Sequence, residues 1–145
     1  MASTFVYVTY IRTTPQKLWD ALLKPEFTRR YFFGVSIESD WQAGSPWRMI
    51  DGKGTVTDSG EIIEIVPLKR LVRTWRNEFV PDMTAEGYSR CTFDIAEKNG
   101  VVELKVTHEM ERDGSKTIAG VSTGWPKILA SLKTLLETDE PLPAG

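Results

Sequence analysis

The only histidine of this 145-residue chain, His108, lies in the alternating run Val101 to Met110. Strand alternation puts Val102, Leu104, Val106, His108 and Met110 on one face, so the imidazole points to an apolar side. Such a residue is either a polar anchor or general acid/base in a pocket, or a core histidine hydrogen-bonded to its neighbours. Nucleophilic catalysis would need a Ser or Cys within reach and a carboxylate behind the ring, and no such constellation stands in the sequence. The single cysteine, Cys91, alternates with Phe93 and Ile95, the pattern of an inert core thiol. One His and one Cys make no zinc cluster, and there is no phosphate-binding loop and no GxGxxG after a strand. No metal and no cofactor is expected.

Five tryptophans are generous for this length. Trp19 falls with Leu18 and Leu22 at helical spacing and reads as core. Trp41, Trp47, Trp75 and Trp125 are core packing or the wall of a pocket for an apolar or ring-shaped ligand, with Trp125 the best placed. Glu64 interrupts the apolar run Ile62, Ile63, Ile65, Val66, and Arg73 shares a strand face with Leu71 and Trp75. If that face is inward, Arg73 and Glu64 pair or bind a ligand carboxylate; if outward, both are solvated charges.

The elements that must position these residues are mostly strands. Thr4 to Arg12 reads as an opening strand, and Thr14-Pro15 starts a short helix to Leu23. A second short helix runs from Pro25 to about Tyr31 and stops at Gly34. Strands are predicted over Val35 to Asp40, Trp47 to Asp51, Thr55 to Val66, Arg70 to Asn77, Ser89 to Ala96 and Val101 to Met110. Asp51-Gly52-Lys53-Gly54 and Lys98-Asn99-Gly100 are turn signals between them. Phe79 to Gly87 reads as a mobile loop at the sheet's end. Val121 to Lys127 leads into an amphipathic helix whose apolar residues, Trp125, Ile128, Leu129, Leu132, Leu135 and Leu136, form one stripe. Strands in succession predict an α+β fold with an antiparallel sheet. One domain is expected over residues 1–138, with 139–145 a frayed tail.

A net charge of −2 gives no electrostatic footprint for nucleic acid, and no apolar run reaches the roughly 20 residues of a membrane span. Met1-Ala2-Ser3-Thr4 opens no secretory leader, and a lone Cys suits a reducing compartment, so a cytoplasmic location is expected.

Thr14-Pro15-Gln16-Lys17-Leu18-Trp19-Asp20-Ala21-Leu22 followed by Pro25-Glu26-Phe27-Thr28-Arg29-Arg30-Tyr31-Phe32 resembles the opening of START-like proteins. Gly60 to Ile65 with Pro67, Arg70-Leu71-Val72, Thr74-Trp75 and Gly124-Trp125-Pro126 leading into Leu129 narrow the resemblance to homologues of the heat-shock-protein-90 ATPase activator C-terminal domain. The resemblance implies a helix-grip fold: a curved antiparallel sheet wrapped around a long C-terminal helix, two short helices closing one end. Related START-like proteins bind lipids, hormones or polyketides, and some are aromatases or cyclases. The expected function is binding of a small hydrophobic or aromatic molecule between sheet and helix, at Trp75, Phe93, His108, Trp125 and Leu129. The alternatives are a cyclase-, aromatase- or hydrolase-type enzyme in the same cavity and a protein-interaction module of the chaperone-activator kind. A monomer or homodimer is expected.

Overall fold

In a computed structural model that describes residues 2–143, the alternating segments become β1 (Ser3–Ile11), β2 (Ser36–Ser39), β3 (Pro46–Ile50), β4 (Val56–Val66), β5 (Arg70–Asn77), β6 (Ser89–Lys98) and β7 (Val101–Met110). The helices are α1 (Pro15–Leu23), α2 (Pro25–Tyr31), α3 (Pro81–Thr84) and α4 (Lys116–Thr138). Among the described residues the strands form one antiparallel sheet in the order β1-β7-β6-β5-β4-β3-β2, curved around α4 in the expected helix-grip arrangement. Register sets the inner face in rows across the strands: Arg73 opposes Cys91, which opposes His108, and Leu71 opposes Phe93, which opposes Val106.

Local chemistry explains the helix ends. Thr14 caps α1 by accepting from the Lys17 amide at 3.2 Å, with Pro15 following. Phe33 and Gly34, both with positive φ, turn the chain out of α2. The C-terminal helix starts earlier than its apolar stripe. It begins at Lys116, so Val121 to Gly124 is helical and Pro126 is interior. Its start joins a local cap to a tertiary partner. Ser115 Oγ accepts from the Ile118 amide at 3.1 Å, and Glu86 accepts from the Lys116 amide at 2.7 Å and from Ser115 Oγ at 2.7 Å. Burial pushes the Glu86 carboxyl pKa up, but the hydrogen bonds from Ser115, Lys116 and Thr117 outweigh it and the net shift is down. Glu86 lies in the segment expected to be a mobile loop. That segment instead carries α3, tied by Phe79 and Val80 amides donating to Asn77 Oδ1 at 3.0 and 2.8 Å. Of the expected tail, residues 144 and 145 lie outside the described residues, and the Leu142 amide donates to Ser131 Oγ at 3.3 Å.

Along α4, Trp125, Leu129, Leu132 and Leu135 are buried in the core shared with the sheet and α1–α2, and Ile118 is buried near the helix start. One polar chain crosses this core. Trp125 Nε1, which can only donate, reaches His108 Nδ1 at 3.1 Å. The ring proton of a neutral His108 is therefore on Nε2, which donates to Ser89 Oγ at 2.7 Å, and Ser89 donates to the Trp75 carbonyl at 2.9 Å. Burial, reinforced by the Arg73 charge, pushes the His108 pKa down to about 3.

Two outcomes follow. Leu132 is fully buried, so Leu132→Ala should lower unfolding free energy by about 2–5 kcal/mol in a urea titration. His108 is neutral in the folded chain and titrates near its usual value when unfolded. Its contribution is complete above pH ~6.5 and falls by about 1.4 kcal/mol per pH unit below that. Urea titrations at pH 7 and pH 5 should therefore show a loss of about 2 kcal/mol that is absent in His108→Gln, whose side chain does not titrate.

Candidate functional site

The sheet and α4 do not close fully at the end covered by α3. A cavity of about 320 Å³ remains there, with an apolar lining. Its floor is Trp75 and Trp125, its sides are Met49 and Val121, and Phe79 and Met83 lie at the rim. Gly120 and Gly124 keep the α4 wall open: a Cβ on Gly120 would lie 2.7 Å from Met83 Cε, and one on Gly124 would meet only Ile128 Cδ1 at 3.9 Å. Larger hollows of about 660 and 430 Å³ flank Thr74, the first lined by charged residues including Glu86, Arg90, Glu109 and Arg112, and one of about 340 Å³ lies over β2 and β3 beside Glu38, Asp40 and Arg48.

Asp58 is the carboxylate on the cavity's lining. Burial pushes its pKa up, and the hydrogen bond from Trp75 Nε1 to its Oδ2, at 2.7 Å, opposes that. This bond and the one from Trp125 to His108 fix the two indoles of the floor, which meet edge to face with centroids 5.5 Å apart.

Beneath the floor sits Arg73. Its face of β5 is inward, and the side chain is 2% exposed. The guanidinium carbon lies 4.3 Å from the Trp47 ring centroid, 4.7 Å from Trp75 and 5.2 Å from Phe93. Trp47 itself is held by its indole donating to the Thr74 carbonyl at 2.8 Å, across Gly60, where any Cβ would lie 2.0 Å from that oxygen. Arg73 Nε and Nη1 have no hydrogen-bond partner among the described residues. Burial lowers the Arg73 pKa to about 10, so the group is still a cation at neutral pH. Glu64 is not its partner. A bulge at Ile62–Glu64 breaks the alternation of β4 and leaves Glu64 exposed, 3.3 Å from Arg70.

The five expected site residues divide. Trp75 and Trp125 line the 320 Å³ cavity. Phe93 and Leu129, again with Trp125, line a small void of about 10 Å³ beside Arg73. His108 lines neither space, and both its ring nitrogens are engaged by protein. Cys91 is fully buried, and burial pushes its thiol up to about 12. Sequence reasoning did not single out Asp58, Phe32, Met83 or Val121. Asp58 gave no signal in a polar stretch, and the others belong to segments whose inward faces depend on tertiary packing. Among the described residues no cluster of His, Cys, Asp and Glu could hold a metal, and no helix is long and apolar enough to cross a membrane. The arrangement can enclose an apolar or flat molecule and offer it one carboxyl group and, past Phe32 and Trp125, one buried cation.

Solved structures share this architecture across almost the whole chain. Protein MLL2253 from Mesorhizobium loti superposes with a TM-score of 0.78 at 24% identity, over 92% of this chain and 96% of that one. The Aha1 dimer from Colwellia psychrerythraea gives 0.75 at 17% identity, over 94% and 97%. CalU16 from Micromonospora echinospora gives 0.74 at 18% identity, over 95% and 78%. Among proteins with curated descriptions none matches the sequence. The model of the family described as activator of Hsp90 ATPase homolog 1-like protein matches residues 12–137, and the chain therefore belongs to that family, with the START-like fold its sequence resembles.

Proposed function

We propose that this protein binds a small hydrophobic or aromatic molecule in the cavity between the sheet and α4. The observation that carries the reading is the 320 Å³ apolar space floored by two indoles whose N–H groups are both engaged, by Asp58 and by His108. Indoles fixed in this way present apolar faces to a ligand without rearranging, which lowers the ordering cost of binding. Trp75 and Trp125 take the ligand's body. Phe93 and Leu129 back that wall from the void beneath, and His108 holds Trp125 in place. Binding without turnover is favoured over catalysis because His108, buried and hydrogen-bonded on both nitrogens, has no lone pair or proton free for a substrate. The relative described as a dimer supports a homodimer as the assembled form.

N-phenyl-1-naphthylamine, a neutral probe that brightens in apolar surroundings, tests the reading. The parent should bind it saturably. Gly124→Leu puts a side chain into open cavity space on α4 while replacing a poor helix former with a good one. That variant should keep its thermal midpoint and lose about tenfold or more in probe affinity. Equal affinity in the two proteins would place the probe elsewhere and remove the cavity from the proposal.

A further inference from the structure

Arg73 is a buried cation with no ion-pair partner among the described residues. The three aromatic rings around it take up the faces of the guanidinium, but its N–H bonds lie in its own plane and need acceptors. Nε and Nη1 find none among the described residues. The carboxylate that acts on it electrostatically is Asp58, whose Oδ2 is already taken by the Trp75 indole and whose charged form burial disfavours. Tyr31, Cys91 and His108, the other titratable groups around it, are neutral at pH 7, with burial raising the first two pKa values and lowering the third. A buried, unpaired charge with unpartnered donors is a costly arrangement for a core and an apt one for an anion-binding subsite.

The surroundings say what kind of anion. Arg73 lines the 10 Å³ void, which has room on the order of one water molecule. Phe32 and Trp125 line both this void and the 320 Å³ cavity, so they are the partition between them. Trp125 is pinned by His108, whereas Phe32 is only half-buried and sits at the end of α2, beside Phe33 and Gly34 in left-handed conformations. Phe32 is the side of the partition that can yield. A small anionic head carried on an apolar body fits this layout; a bare inorganic anion would leave the cavity empty, and a neutral apolar ligand would leave Arg73 unpaired.

We infer that the ligand is an apolar or aromatic monocarboxylic acid, its carboxylate paired with Arg73 past Phe32 and its body in the cavity against Trp75 and Trp125. This deepens the ligand-binding reading and rests on it. The carboxylate accepts from the free Arg73 donors in a water-excluded site, where charge-assisted hydrogen bonds are strong.

The test compares 2-naphthoate with 2-naphthamide, which has nearly the same shape and no charge, by calorimetry at pH 7. The parent should bind the acid at least tenfold more tightly than the amide. Arg73→Met, which keeps length and apolar bulk, should bind both with the amide's affinity. Because the pair is buried, raising salt from 50 to 500 mM should leave the parent's preference unchanged; this holds the inference to account even if Arg73→Met does not fold. An acid bound no better than the amide, a preference that survives Arg73→Met, or one that salt abolishes would each overturn the acid inference. In all three cases N-phenyl-1-naphthylamine binding by the parent would leave the cavity reading standing. Failure of the parent to bind that neutral probe would instead bring down both.

Discussion

The hydrogen bond from Trp125 to His108 joins the two halves of this fold. The indole belongs to α4 and the imidazole to β7, and neither ring has another way to satisfy its inward nitrogen in an apolar core. Because Trp125 can only donate, the bond also decides the tautomer of His108, and through it the direction of the bonds to Ser89 and to the Trp75 carbonyl. Three strands and the helix are thus locked by a chain with a single allowed polarity. Protonation of Nδ1 would break it at its first link. The chain matters for the site because Trp125 and Trp75 are the floor of the cavity and the roof over Arg73. His108 thus sets the shape of the cavity without lining it.

Much of this was legible in the sequence, and the exceptions have physical causes. The alternation of Val101 to Met110 placed His108 inward, because a strand with one buried face cannot slip by a residue without burying Glu103 and Lys105. The inward face of β5 was left open, since Val72 is buried as well as Leu71, Arg73 and Trp75, so alternation carried no contrast. The outward turn of Glu64 depends on a bulge, which no residue type announces. The early start of α4 was hidden for a different reason. Gly120, Gly124 and Pro126 are poor helix formers, and the local Ser115 cap that starts the helix is backed by Glu86, about 30 residues upstream. Which two of the five expected residues would line the cavity, and that Asp58 would join them, depends on how β5, α3 and α4 come together in three dimensions.

Arg73 is where stability and function pull apart. Two unpartnered donors cost about 1–3 kcal/mol each, while each aromatic face returns about 0.5–2 kcal/mol, so the rings offset the penalty without clearly exceeding it. The lowered pKa of the group has the same meaning: burial disfavours its charge relative to water. A methionine or leucine at this position would pack against Trp47, Trp75 and Phe93 at no such cost. Packing alone therefore gives no reason for an arginine here. The rings that surround it make its retention tolerable, the void beside it leaves a small space next to the guanidinium, and Phe32 and Trp125 stand between that space and the cavity above. In the binding reading proposed above, the unsatisfied charge that weakens the fold is what separates an acid from a neutral apolar guest.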